Sequence, residues 1–254
     1  MRRTLRQLRY EHRAFRRNPA SAVFTFAFPL MFLVIFNLIF GNLEIRVAGG
    51  TTTASTFYVP AIAAFSIITT CFTNLAMRLT FDRDQGRLKR IRGTPLSTGA
   101  FLAGKILHVI ALAIVLVAIV TLFGMIFYGV RAPTGSLPAV LVTLAVGAAA
   151  FCALGIAITA AIPNADAAPA VVNATILPLL FVSDVFIRLD QAPPWLRTLG
   201  DLFPVKHLSQ ALQTAYDPFL SGPGFEWGHL GAIAAWGAAG LVVALRTFSW
   251  EPRR

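Results

Sequence analysis

Two long apolar runs, Phe57 to Met77 and Ala100 to Tyr128, are separated by a dense polar block. The block extends from Arg78 to Lys105 and carries Arg78, Arg83, Arg87, Lys89, Arg90, Arg92 and Lys105. Runs of that length match membrane crossings, so the block must lie in water between two of them. Loops rich in Lys and Arg beside a crossing stay on the cytoplasmic side, and every other crossing is oriented from this one.

Composition agrees with a polytopic membrane protein. The 254 residues are 56% hydrophobic and only 13% charged, with a mean hydropathy of +0.69, which argues against a soluble globule. The formal charge of +11 invites a nucleic-acid reading. The basic residues, however, sit at the ends of apolar runs, without a basic face or an aromatic platform for bases, so no nucleic-acid partner is expected. They suit topology and lipid headgroups.

The expected class is all-α, one transmembrane domain over 1–254 with six crossings. Residues 1–19 pattern as a basic interfacial helix with Leu5, Leu8 and Phe15 on one stripe. A cleaved signal peptide is not expected, because the following apolar run is too long for an h-region. Crossings are expected at about 20–41, 57–77, 100–128, 139–162, 167–187 and 228–245, with Pro29 in the first and Pro169 and Pro178 in the fifth. The loop Asn42 to Thr56 is polar and Gly- and Thr-rich, which suits the outer side. Residues 189–215 hold two short helices opened by Pro194 and Pro204; they are too short to cross and are expected to be re-entrant or outer. Seventeen Lys and Arg fall on the assigned inner side and five on the outer, which places both termini in the cytoplasm.

Within the basic block, Asp82 to Ile91 reads as a helix with an acidic start and a basic end. Leu88 and Ile91 supply an apolar edge, and Gly93-Thr94-Pro95 is a stop. Small residues, Gly147 and Gly155 in the fourth crossing and Gly231, Ala235 and Ala239 in the sixth, suit close helix packing. Asp184 and Arg188 stand four apart at the end of the fifth crossing and would share a helix face if the helix continues; either they pair, or Arg188 reaches the headgroups while Asp184 faces water independently.

Sites for other chemistry are not expected. Gly99-Ala-Phe-Leu-Ala-Gly104-Lys105 imitates a phosphate loop, but Ile106 stands in the magnesium-ligand position and no strand precedes it. Cys71 and Cys152 both fall in crossings, suggesting neither a disulfide nor a metal site. His108 is expected to be a packed residue. An ion-coupled transporter would need carboxylates deep in the bundle, and a membrane enzyme would have to use Asp190 and Asp201, which suit helix starts.

The segments FDRDQGRLKRIRGTPLS (residues 81–97) and FVSDVFIRLDQAPPWLRTLGDLFPVKHLSQALQ (residues 181–213) are similar to the two signature regions of ABC-2 type transporter permeases, a drug and polysaccharide exporter family. The resemblance covers nearly the whole chain. It implies an exporter permease of the plasma (bacterial inner) membrane that moves a drug, lipid or glycolipid and has no catalytic or metal site. It further implies a homodimer or heterodimer working with two ATPase subunits that hold ATP and Mg. Asp82, Asp84, Gly86, Arg87, Leu88, Ile91, Thr94 and Pro95 would couple to the ATPase; Asp184, Arg188, Trp195 and Pro204 would form the outer gate. The family commonly has Gly and Pro where this chain has Asp184 and Arg188.

Overall fold

The computed structural model describes residues 2–47, 49–93, 96–189, 192–220 and 222–249. Thr94, Pro95 and Asp190, all singled out above, lie outside them. The chain begins with α1 (Arg2–Arg16) and α2 (Pro19–Phe40), joined by Asn18, whose side chain accepts the Ser21 N–H. A hairpin of β1 (Glu44–Val47) and β2 (Gly50–Thr53) follows, pairing Glu44 with Thr53 and Val47 with Gly50. The second crossing is α3 (Ser55–Ile68), a π-helical segment (Thr69–Asn74) and α4 (Leu75–Asp84). Then come α5 (Arg87–Arg92), α6 (Thr98–Tyr128), α7 (Leu137–Ile158), α8 (Ala168–Phe181), α9 (Pro194–Leu202), α10 (Pro204–Ala215) and α11 (Trp227–Thr247).

Three expectations change. The polar loop 42–56 contains a β-hairpin, favoured by the β-branched run Thr51-Thr52-Thr53 and by Gly49, whose φ is 107°. The helix expected over Asp82–Ile91 is two helices. Gly86 adopts a left-handed φ of 66°, the usual conformation beyond a helix end, so Asp82 and Asp84 close α4 while α5 is a separate short helix. The fifth apolar segment is helical for 14 residues, about 21 Å, against about 30 Å of bilayer core. Among the described residues, five helices are long and apolar enough to cross: α2, the α3–α4 unit, α6, α7 and α11.

The α3–α4 unit is the centre of the bundle. Every residue from Phe57 to Ile68 is buried, against α2, α6, α7 and α10. Phe28, Phe32, Phe36 and Phe40 recur every four residues along α2, making an aromatic rail along one face. Phe36 stacks on Tyr58 at 5.2 Å and Phe32 on Phe186 at 5.2 Å. Elsewhere small residues bring backbones together. A Cβ on Gly155 would meet the Cys71 carbonyl oxygen at 2.9 Å, and one on Gly147 would meet Leu208 of α10 at 2.6 Å. On α11 the side facing α7 runs through Gly237 and Gly240, which approach Ala150 and Leu154. Gly231 faces open space within this chain, and Ala235 and Ala239 are exposed. The two glycine faces of α11 are therefore distinct.

Gly155→Leu should lower the melting temperature of the detergent-solubilised protein, because backbone must move to admit the side chain, an overpacking cost of about 1–3 kcal/mol or more. Gly231→Leu should leave it unchanged. Equal melting temperatures for the two variants would mean that the α7 contact is not close.

Candidate functional site

At the end of the bundle that carries α5, here the loop end, charged side chains are drawn into the protein. Lys105, on α6, has its Nζ 3.1 Å from Glu11 Oε1 of α1 and 2.7 Å from Asp82 Oδ2 of α4. The lysine and Glu11 side chains are 6% and 7% exposed and that of Asp82 14%, so this contact is almost dry. Arg87 of α5, mostly in solvent, reaches the other Asp82 oxygen at 3.4 Å. Gly104 explains how α1 comes so near: a Cβ there would lie 2.5 Å from the Gln7 side chain and 3.3 Å from the Leu8 nitrogen. The Gly104-Lys105 pair that imitates a phosphate loop is thus a crossing point for two helices.

The next two residues of α4 grip different elements. Arg83 is 2% exposed and donates from Nη1 to the Thr159 carbonyl at 3.0 Å and from Nη2 to the Ile162 carbonyl at 2.6 Å. It serves as a cationic cap for carbonyls of the turn that follows α7. Asp84 accepts the Ala165 N–H at 3.0 Å, ordering the turn into α8. Leu88 is fully buried and Ile91 packs against the same core, so the apolar edge of α5 faces inward. Among the described side chains of α5, Arg87, Lys89 and Arg90 are exposed. A groove of about 560 Å³ runs between α1, α4, α5 and α6, with Tyr10, Glu11, Arg78, Phe81, Asp82 and Lys105 among its lining.

The opposite, hairpin end holds a smaller cavity of about 260 Å³, lined by Ile45, Phe57, Asp184, Arg188, Gln210 and Gln213 among others. Asp184 has a φ of 52° and is buried at 8% exposure. Its Oδ1 accepts the Leu189 N–H at 2.8 Å and its Oδ2 the Gln210 amide at 3.3 Å. Its carbonyl accepts from Ser209 at 2.8 Å and Gln213 at 2.9 Å. The helix stops at Phe181, so Asp184 and Arg188 do not share a helical face; the Arg188 guanidinium lies 5.3 Å from the Phe57 ring centre. Of the other two residues expected there, Trp195 points outward at 67% exposure and Pro204 is buried as the first residue of α10. Asp201 pairs with Lys206 at 2.6 Å. The far end of α10 is held by Ser136, which donates to the Ala215 carbonyl, and by the Tyr216–Thr121 hydroxyl pair. Burial raises the Tyr216 phenol above its ordinary pKa.

Among the described residues no group of three or more His, Cys, Asp or Glu is placed to hold a metal ion. Both ends instead show polar groups that tie helices together. Residues 4–216 match the family described as ABC-2 type transporter. The chain belongs to the ABC-2 type transporter family. It is similar to the Daunorubicin resistance ABC transporter permease protein DrrB1 of Streptomyces coeruleorubidus, 28% identical over 205 residues, covering 78% of this chain and 69% of that protein. It is also similar to two proteins described as putative transport permease ycf38. That of Cyanophora paradoxa is 26% identical over 206 residues, 79% of this chain and 69% of the relative. That of Porphyra purpurea is 25% identical over 244 residues, 91% and 79%. This ABC-2 permease is therefore a multi-pass membrane protein of the ABC transporter class.

Sequence reading brought forward the permease's Asp82, Asp84, Gly86, Arg87, Leu88 and Ile91, and they do converge at the loop end. It misses the roles of Glu11, Arg83 and Lys105, of which the last two read only as topology charges. The one available signal was Gly104 beside Lys105, a small residue and a cation at the start of an apolar helix. Ser209, Gln210 and Gln213, which hold Asp184, form a short polar stripe on α10 that could have been read from their spacing.

Replacing Lys105 with Met would remove the cation that Glu11 and Asp82 share, leaving Arg87 at the outer Asp82 oxygen, a loss of about 3–5 kcal/mol for a buried charge deprived of its partner. Hydrogen exchange in α1 should accelerate in Lys105→Met, and adding Glu11→Gln and Asp82→Asn should restore much of the protection. Unchanged exchange in the single variant would show that α1 is held by its apolar contacts alone.

Proposed function

We propose that this permease is the membrane half of an exporter powered by ATP hydrolysis in two separate ATPase subunits, which would bind the ATP and Mg. The observation that carries the reading is the fixing of α5 and its neighbours at the loop end. Asp82, Arg83 and Asp84 tie the root of α5 to α6, to the end of α7 and to the entry of α8. A push on the exposed Arg87, Lys89 and Arg90 would move several helices as one body. The ATPase contact is accordingly basic, with Leu88 and Ile91 holding α5 to the permease itself.

The charge bias supports a cytoplasmic loop end and termini and an external hairpin end, and the proposed setting, from the family resemblance, is a bacterial inner membrane. We further propose that α8 completes a sixth crossing with residues 182–189 and that α9 and α10 form a re-entrant pair. In support, Trp236, near the middle of α11, donates to the Leu202 carbonyl at 2.9 Å, and Leu208 fills the space at Gly147 in the middle of α7. A second permease copy, identical or similar, would complete the transporter. The substrate class is hydrophobic or amphipathic, in keeping with a relative named for daunorubicin resistance. An apolar groove of about 390 Å³ between α7, α8, α10 and α11 fits that class. Ion coupling is less favoured: in the five long helices the acids are Asp82 and Asp84, both at one end.

Lys89→Glu with Arg90→Glu should sharply reduce recovery of ATPase subunits with the purified permease, while membrane insertion is retained. Undiminished recovery and transport would remove α5 from the coupling role. Orientation has its own check: in intact cells, a cysteine at Thr52 should react with an impermeant thiol reagent and one at Ser97 should not.

A further inference from the structure

The apolar stripe of α1 is covered by protein at its Phe15 end and open at Leu5. Phe15 is buried, 5.7 Å from the His108 ring, and Leu8 lies against Gly104 of α6. The helix therefore does not insert the whole of that stripe into the membrane, as its amphipathic pattern alone would suggest. At 100° per residue, Arg6, Arg9 and Arg13 fall opposite this buried side, and all three are exposed. With Tyr10 they line a recess of about 290 Å³. The acid within α1, Glu11, is turned away to Lys105. The level of this face is also set: α2 begins at Pro19, one residue after its Asn18 cap, and α1 lies along the part of α6 where the apolar crossing starts. The basic face thus looks sideways from the bundle at the depth of the headgroups.

We propose that Arg6, Arg9 and Arg13, together with Tyr10, cradle the headgroup of an anionic phospholipid. Guanidinium groups present paired N–H donors that match phosphate oxygens. A tyrosine that is 63% exposed suits the interface, where its ring meets the acyl boundary and its hydroxyl meets water. Leu5, 51% exposed, offers the adjoining chain an apolar contact. The opposite side of the same helix is pinned through Glu11 to Lys105 and Asp82, so a bound headgroup would brace the loop end from outside. The proposal needs only the permease in a bilayer and does not depend on an ATPase partner.

The test uses purified permease in phosphatidylcholine nanodiscs doped with spin-labelled phosphatidylglycerol or spin-labelled phosphatidylcholine, reading the immobilised lipid fraction. The wild type should prefer phosphatidylglycerol. Arg6→Gln, Arg9→Gln and Arg13→Gln together should cut that preference at least about fivefold, the value of one arginine at a charged surface. The melting temperature in pure phosphatidylcholine should stay the same, since the buried face is intact. The corresponding triple Lys variant should retain much of the preference. Salt of about 1 M, with a screening length of about 3 Å, should abolish it in the wild type. The proposal is overturned by an unchanged preference in the triple Gln variant, or by displacement with millimolar inorganic phosphate, which would mark a soluble-anion site. It is equally overturned if the triple variant keeps its lipid preference and loses only ATPase subunits, which would make this face a protein interface.

Discussion

The ammonium group of Lys105 is the point on which the loop end closes. A cation taken from water must regain its hydration energy from fixed partners, and here the partners come from two other helices, Glu11 of α1 and Asp82 of α4. Because Asp82 is followed by Arg83 and Asp84, α4 extends that grip in further directions: a cation to the carbonyls at the end of α7 and an acceptor to the Ala165 N–H. Three adjacent residues therefore serve three partners. Such a device needs a helix that continues beyond the apolar crossing and then stops, which Gly86 provides.

The body of the bundle obeys a different constraint. In lipid, burial of apolar surface gives helices little reason to associate, so packing has to come from close backbone approach and shape. Gly104, Gly147, Gly155, Gly237 and Gly240 each sit where a Cβ would collide with a neighbour. The aromatic rail on α2 does the converse and fills a wide gap with rings. The hairpin end combines both kinds of contact: α10 enters beside Gly147 and offers Ser209, Gln210 and Gln213 to a backbone turn at Asp184 that has no helix of its own.

Long apolar runs and their charged flanks were legible in the sequence, because each is set by local composition: α2, α6, α7 and α11 begin and end within a few residues of where those runs do. Positions decided by distant residues were not. The helix through Ala168 stops at Phe181, and the left-handed turn at Asp184 beyond it is held by side chains 25 and 29 residues later; no local pattern shows that. The break at Gly86 was available in principle, as a glycine directly after a charged helix end, but an acidic start and a basic end made one helix look complete. Inward and outward faces were legible where periodicity was strong, as in α1. What covers a face was not, since an apolar stripe reads the same against lipid as against another helix.

The π-helical segment Thr69–Asn74 has a geometric effect on all of this. A wide turn of this kind accommodates an extra residue, and one residue corresponds to about 100° of rotation around an α-helix. A single helical wheel drawn from Ser55 to Asp84 would therefore be out of phase in its second half. The azimuth at which Asp82, Arg83 and Asp84 leave the bundle is set by that phase step, and the same stretch wound as uninterrupted α-helix would aim its three charges at the wrong neighbours.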